Sequence, residues 1–154
     1  MITIDRKHLA LMMECGYILV GLQRFPQARE VFEGIAAMAA ESEVPIVAIG
    51  SVSFCEGKFK EAVRHYEKAL KMNPQSPFAR AYLGEALFFL GETDRAIQEL
   101  TAAAQADAQG KAGGFAKALL DAIAQGFTPR MVSGVEDMEQ LQRPNAGKET
   151  SHVS

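Results

Sequence analysis

Small residues recur along the chain with a period of 34 residues, and they form two sets. The sets are Gly16, Gly50 and Gly84, followed twelve residues later by Ala28, Ala62 and Ala96. A fixed period of this length indicates a tandem repeat of one small structural unit. A glycine inside a helix costs about 1 kcal/mol relative to alanine, so three at the same phase require a packing reason. We expect each glycine to face the following alanine, which lets two antiparallel helices approach closely.

Each unit contains two helical patterns of about 14 residues, separated by a short polar connection that contains glycine. The connections lie at 21–24, 56–58 and 91–92. Apolar residues within the patterns recur at helical spacing, as at Ala62, Tyr66, Ala69 and Leu70. Each helix therefore has one apolar stripe, which it can bury only against neighbouring helices. The sequence predicts an all-α stack of helix pairs.

The order of residue types within a unit resembles the tetratricopeptide repeat. A small residue stands at the eighth place and alanine at the twentieth. An aromatic residue follows at the twenty-fourth place and a proline after the second helix, as in Phe32, Tyr66 and Pro74. The third unit departs from the pattern, because Thr93 and Leu100 replace aromatic residues. The resemblance covers about residues 9–108 and implies a right-handed superhelix of three tetratricopeptide helix pairs, with repeats at about 9–42, 43–76 and 77–110.

A further apolar stripe follows the third unit, at Phe115, Leu119, Ile123 and Phe127. A stack of helix pairs needs a final helix to cover its open end, so we predict a C-terminal capping helix at about 114–126. The repeat domain then occupies residues 1–127. Residues 128–154 contain few large apolar side chains, and we expect a disordered tail there. A capping box formed by Ser133 and Glu136 leaves open a short docking helix within this tail.

Composition limits the partners of such a domain. The 154 residues are 48% hydrophobic with a net charge of −3, and 16 Lys and Arg are interspersed among 19 Asp and Glu. A basic stripe is absent, so no nucleic acid partner is predicted. The apolar run at 9–22 is interrupted by Glu14 and is too short to span a bilayer. We therefore expect a cytoplasmic protein without membrane insertion.

The chain offers no arrangement of residues typical of an enzyme. His8, His65 and His152 stand in unrelated contexts, without a partner at the spacing of a catalytic triad or a metal site. Cys15 and Cys55 lie in apolar helical patterns and lack metal-ligand spacing, so we expect both thiols to be buried in the core. The sequence predicts no catalytic residue, no metal ligand and no cofactor.

The tetratricopeptide resemblance implies that a partner binds to the concave wall, which the first helix of each unit lines. The second, fifth, sixth, ninth, twelfth and thirteenth places of a unit face this groove in the family. From those places we predict a largely apolar groove formed by Met13, Tyr17, Val20, Val47, Ser51, Phe54, Phe78, Tyr82, Glu85 and Phe88. Such a groove suits an amphipathic helix or an extended apolar segment of a client protein.

Repeat domains that bind the acidic tails of heat-shock chaperones resemble one another in using Lys, Arg and Asn at these places to hold carboxylates. The corresponding residues here are Met13, Tyr17, Ala48, Phe78 and Tyr82, and none of them is a cation. The groove is therefore not predicted to bind an acidic tail.

A chain of three such repeats with a capping helix and an apolar groove is similar to the cytoplasmic chaperones of bacterial type III secretion systems. Those chaperones hold needle subunits or pore-forming translocators before export, and the segments 14–28 and 78–86 carry the resemblance. The first repeat begins near residue 9, without the long N-terminal helical extension of the translocator chaperones, which favours the needle-subunit class. The need for a second co-chaperone stays open. The alternative hypothesis is a generic tetratricopeptide repeat scaffold or adaptor that assembles a protein complex.

Overall fold

The structure, a computed structural model, describes residues 5–129 of the chain and contains seven α-helices in that range. The helices are α1 (Arg6–Gly21), α2 (Phe25–Met38), α3 (Val44–Cys55), α4 (Phe59–Met72), α5 (Pro77–Phe89), α6 (Thr93–Ala106) and α7 (Lys111–Ala124). The predicted all-α fold is confirmed. Residues 130–154, with the predicted capping box of Ser133 and Glu136, lie outside the described residues.

The helices pack in chain order, each mainly against its neighbours in sequence. Short connections make consecutive helices antiparallel, which gives the pairs α1–α2, α3–α4 and α5–α6. Helix α3 also contacts α1 and α5, so the first helices of the three pairs form one layer and the second helices lie behind them. Helix α7 packs on both α5 and α6 and covers the end of the stack.

The periodic glycines mark the contact between the two helices of each pair. A Cβ atom added to Gly50 would lie 2.6 Å from the Tyr66 ring, and one added to Gly84 would lie 2.6 Å from Leu100 Cγ. Gly16 approaches the Phe32 ring in the same way. The expectation that each glycine faces the alanine at the twentieth place was wrong. The glycine instead makes room for the large side chain four residues after that alanine, which is Phe32, Tyr66 or Leu100 and is buried in every pair.

The first helix of each pair ends in a residue with left-handed backbone, and these residues also recur every 34 positions. They are Gln23, Gly57 and Gly91, with φ of 59°, 77° and 84°. The N–H of each one bonds to the carbonyl three residues earlier, and the next N–H bonds to the carbonyl five residues earlier, which is a Schellman motif. Of these three residues Gln23 is the one that is not glycine, and its left-handed backbone lowers the stability of the fold by about 1 kcal/mol.

Helix α7 begins at Lys111, three residues before the predicted start. The Asp107 carboxylate accepts a hydrogen bond from the Gly113 N–H at 3.1 Å, and Gly110 and Gly113 both lie against Asp107. Glycine is required at Gly113 because a side chain there would collide with the Asp107 backbone carbonyl, whereas at Gly110 the neighbouring atoms belong to the Asp107 side chain. Ala112 and Ala116 then pack closely against α5 and α6, where they contact the cluster that contains Leu100.

The glycine contacts yield a test of the packing. Because Tyr66 fills the space beside Gly50, we predict that Gly50→Ala lowers the free energy of unfolding by about 1–3 kcal/mol. Gly34→Ala is the matched control, since Gly34 lies inside α2 with no atom near its missing Cβ. That control should raise stability by up to about 1 kcal/mol through helix propensity. Urea unfolding of both variants gives the comparison, and equal effects would contradict the packing.

Candidate binding groove

A cavity of about 350 Å³ opens on the layer formed by α1, α3 and α5. Its lining comes from all three helix pairs and consists of Tyr17, Glu43, Val44, Val47, Ser76, Pro77, Phe78 and Tyr82. Four of the ten predicted groove residues, Tyr17, Val47, Phe78 and Tyr82, are therefore brought together around one cavity. We use the term binding groove for this cavity and the helix faces beside it.

Tyr17 reaches the groove because of its position next to Gly16. Successive residues in a helix are rotated by about 100°, so the side chain after Gly16 points away from the contact with α2. The Tyr17 ring still rests with its edge on Phe32, with 5.2 Å between ring centroids. Its side chain is 48% exposed, which leaves one face of the ring free on the wall of the groove.

Tyr82 is the centre of an aromatic cluster on the other wall. Its ring centroid lies 5.6 Å from Phe78, 5.6 Å from Phe115 and 5.9 Å from Tyr66. These neighbours come from α5, α7 and α4, so the ring is held in place from three sides. Phe78, one turn before Tyr82, is 42% exposed at the edge of the groove. A fixed cluster of this kind loses little conformational entropy when it contacts a partner.

The floor of the groove belongs to the core. Val47 is only 6% exposed although it lines the cavity, because α3 is surrounded by helices on most sides. Ser51, one turn further along, donates to the Val47 carbonyl at 3.2 Å and lies 3.3 Å from the Tyr66 hydroxyl. The floor at Val47 is therefore apolar, and the nearby Ser51 and Tyr66 hydroxyl groups have each other as partners.

A second cavity of about 390 Å³ adjoins the first at Val44, which lines both. It lies between α1, the end of α2 and the start of α3, and Met13 lines it together with Leu9 and Pro45. Met13 thus contributes to the same side of the stack as Tyr17, but to a separate depression. Two adjoining apolar depressions give room for more than one anchoring side chain.

The remaining predicted residues lie outside both cavities. Val20 and Phe54 are half-buried. The Phe54 ring packs at an angle against the rings of Phe59 and Phe89, with 5.1 Å between ring centroids in each pair. Phe88 is only 4% exposed and stacks on Phe127 at 5.9 Å, so its placement on the open wall needs correction. The reason is that the chain after the end of α7 brings Phe127 onto this side of α5, where it covers Phe88.

The ten predicted groove residues omit four residues that line the cavity, which are Glu43, Val44, Ser76 and Pro77. They precede or begin the first helices of the second and third units. Glu43 and Pro77 are 34 residues apart, so the repeat period was a signal for them.

The prediction of two buried thiols was also wrong, because Cys15 and Cys55 are both exposed. Cys15 precedes Gly16, and its side chain is therefore rotated away from the helix contact that Gly16 makes. Cys55 is the last residue of α3, where the chain leaves the core. Partial burial, followed by the nearby Glu85 and Glu56, raises the pKa of the Cys55 thiol, which stays protonated at neutral pH.

The charged residue that lines the first cavity is acidic, and the cation Arg6 lines the second cavity. Helix α3 has no charged residue, and Arg80 of α5 is engaged by Glu99 at 2.8 Å and by the Pro74 carbonyl at 3.2 Å. Glu43 accepts a hydrogen bond from Asn73 at 3.1 Å at the edge of the cavity. Glu85 lies half-buried on α5, one turn after Tyr82, and burial raises the pKa of its carboxyl group to about 7.

The tyrosines beside the groove are neutral hydrogen-bonding groups. Burial, followed by the nearby Tyr82, raises the pKa of Tyr17, and burial followed by Glu85 raises that of Tyr82.

Within residues 5–129 no three His, Cys, Asp or Glu side chains come together as metal ligands would. A helix with the length and hydropathy of a membrane span is also not found in the described part of the chain.

The burial of Glu85 makes a prediction about pH. The folded protein binds the Glu85 proton more tightly than the unfolded chain, where the pKa is near 4.5, so stability falls as the pH rises through this interval to about 7. Glu85→Gln should therefore raise the free energy of unfolding by about 1–3 kcal/mol at pH 8 and by little at pH 4.

Urea unfolding at the two pH values measures the effect of Glu85→Gln. Glu30→Gln, on the exposed surface of α2, is the matched control and should stay within about 0.5 kcal/mol of wild type at both pH values. An equal effect of Glu85→Gln at pH 4 and pH 8 would show that ionisation of Glu85 is not the cause.

Comparison with known proteins agrees with this architecture. The family model described as tetratricopeptide repeat matches residues 54–123. No curated protein sequence matches the chain significantly.

Several solved structures share the fold. The translocator chaperone SycD of Yersinia enterocolitica has 17% sequence identity and a TM-score of 0.68, over 77% of this chain and 92% of SycD. SycD in complex with a peptide of the translocator YopD has 17% identity and a TM-score of 0.65, over 79% and 96% of the two chains. The first TPR of Spaghetti (RPAP3), bound to the HSP90 peptide SRMEEVD, has 18% identity and a TM-score of 0.66, over 82% and 98%.

These likenesses concern the fold, since all three identities lie below 20%. They include different partners, a peptide of the translocator YopD and the HSP90 peptide SRMEEVD, so the fold alone does not select between them. The chain thus carries a tetratricopeptide repeat match over residues 54–123, and its fold resembles that of the type III secretion translocator chaperones.

Proposed function

We propose that the protein is a cytoplasmic chaperone that holds an apolar segment of an aggregation-prone client, of the translocator type, in the binding groove. The observation that supports this proposal most is the cavity, which residues of all three helix pairs line. Tyr17, Phe78 and Tyr82 contribute exposed or half-exposed aromatic side chains, and Val47 forms the floor. An apolar depression of this kind on a small protein is a liability unless a partner covers it.

The size of the cavity favours an extended or helical segment with separate anchors. A volume of about 350 Å³ takes a small number of side chains rather than a whole helix. The adjoining depression at Met13 takes a further anchor along the same side of the stack. We therefore propose that the client binds through spaced apolar residues, with Tyr17, Phe78 and Tyr82 as the principal contacts.

The chemistry of the groove favours a translocator-like segment over an acidic tail. The HSP90 peptide bound by Spaghetti contains the acidic sequence EEVD, which requires cations in the groove. Here Glu43 lines the cavity, Glu85 lies beside it, and Arg80 is engaged by Glu99. Among residues 5–129, the one cation that lines either depression is therefore Arg6, in the adjoining depression. SycD has been solved with a peptide of the translocator YopD, which gives a precedent on the same fold for the proposed type of client.

A scaffold that assembles a larger complex is the second candidate function. The exposed apolar residues Leu11 and Ile18 of α1, with Leu22 directly after the helix, favour it, because they recur at helical spacing outside the cavity. The two functions differ in what they bind: a chaperone forms a complex of defined stoichiometry with one client that aggregates alone, whereas a scaffold joins a stable assembly.

Charge substitutions in the groove test the proposal. The chain is purified from its native cells, and the protein that copurifies is identified, produced and used for affinity measurements. We predict that Tyr17→Glu, Phe78→Glu and Tyr82→Glu each weaken its binding by about 30-fold or more, because an unpaired carboxylate is buried against an apolar ligand. Val47→Glu is not suitable, because Val47 is part of the core and the substitution would affect folding.

Ile97→Glu is the matched control for this experiment. Ile97 is 38% exposed on α6, away from the groove, so the control introduces the same charge at a similar exposure. It should bind the client as tightly as wild type does, and all variants should keep the helical circular dichroism of wild type. Wild-type affinity in the three groove variants would contradict the proposal, and a loss of binding in Ile97→Glu alone would favour the scaffold.

A further inference from the structure

Glu85 lies beside the cavity of the binding groove, one helical turn after Tyr82, and the repeat itself places it there. It follows Gly84 directly, as Tyr17 follows Gly16 and Ser51 follows Gly50. Since the three glycines make equivalent contacts with the second helices, the three following residues occupy equivalent positions on the layer of first helices. Tyr17 lines the cavity, and Glu85 lies one helical turn from Tyr82, which lines it from the other side.

Glu85 lacks the partner that the fold gives to other half-buried carboxylates. Glu56 pairs with Arg29, Glu99 with Arg80 at 2.8 Å, and Glu43 accepts from Asn73 at 3.1 Å. Among residues 5–129, no side chain donates a hydrogen bond to the Glu85 carboxylate or forms an ion pair with it. A half-buried carboxylate without a partner opposes folding.

The surroundings of Glu85 are neutral. The titratable groups that face it are the Cys55 thiol from α3, the Tyr66 hydroxyl from α4 and the Tyr82 hydroxyl from its own helix. Burial is the cause of the raised pKa of Glu85, and no charged group of the described residues offsets it. Burial also raises the pKa values of Cys55, Tyr66 and Tyr82, so Glu85 is the group of this set that changes charge near neutral pH.

From this position we infer that Glu85 is a specificity-determining residue of the groove, which forms an ion pair with a lysine or arginine of the bound client segment. The inference rests on the proposed function, because the apolar anchors beside the cation are what bring it into the groove. A cation from the client supplies the charge that the fold does not supply, and a charge-assisted pair in a partly desolvated groove is both strong and directional. A segment with an acidic residue at the same place is repelled by Glu85.

The test starts from an unbiased probe, a phage-displayed library of random 12-residue peptides selected on the wild-type chain. We expect the selected peptides to combine apolar residues with a lysine or arginine at a fixed spacing from them. The best peptide is then synthesised with a fluorescent label in three forms, with its basic residue kept, replaced by norleucine, or replaced by glutamate. Fluorescence anisotropy at pH 6 and pH 8 measures the affinity of each form.

We predict that wild type binds the basic form about tenfold more tightly than the norleucine form at pH 8 and less selectively at pH 6, where Glu85 is mostly protonated. Glu85→Gln should bind both forms equally at both pH values. Glu85→Lys should reverse the preference and favour the glutamate form, which a merely structural residue would not do. Glu30→Gln on α2 is the control variant and should retain the wild-type preference.

The possible results separate this inference from the proposed function. Selection of purely apolar peptides, or a preference for the basic form that persists in Glu85→Gln, overturns the inference while the apolar groove stands. Tyr82→Glu shows whether the apolar groove still binds the peptide, because this substitution should then weaken binding of the norleucine form. Selection of acidic peptides, or of none, contradicts both the inference and the proposed function.

Discussion

The contact between a glycine of the first helix and a large side chain of the second helix is the interaction on which the rest of the structure depends. It sets the distance between the helices of each pair and, through the 34-residue period, makes the three pairs equivalent. It also fixes the rotation of the first helices, so that the residue after each glycine, Tyr17, Ser51 or Glu85, faces the groove side of the stack. The fold and the site therefore have one common cause. A change at these glycines would disturb the chemistry of the groove together with the packing.

Much of the fold was predictable from sequence, because period and apolar spacing determine helix pairs directly. The features that sequence reasoning placed wrongly depend on how far neighbouring helices cover a side chain. Phe88 was placed on the open wall, but Phe127, which follows α7, covers it, and Cys55 was placed in the core, but α3 ends there. The left-handed turn at Gln23 was hidden because glycine marks that position only in the other two units. Four residues around one cavity were predictable from the groove places that the tetratricopeptide resemblance implies, since those places recur with the repeat period.

The groove combines a rigid aromatic cluster with a carboxylate whose burial lowers the stability of the fold. Tyr82 is held by rings from three helices, whereas Glu85 carries a carboxylate that burial opposes. A side chain that lowers stability without contributing to the core is expected where a partner is recognised. The same fold elsewhere binds a translocator peptide in SycD and an acidic HSP90 peptide in Spaghetti, so the side chains of the groove, rather than the fold, decide the ligand.

Site-specific photo-crosslinking in the native cell tests most directly whether this groove is the surface that binds the client. A benzophenone amino acid replaces Phe78 at the edge of the groove in one variant and Ile97 on α6 in the other, two positions of similar exposure. The account predicts that illumination links the position-78 variant to a single client protein through an apolar segment, and that the position-97 variant gives no such product. Crosslinking of the client at position 97 and not at position 78 would contradict it.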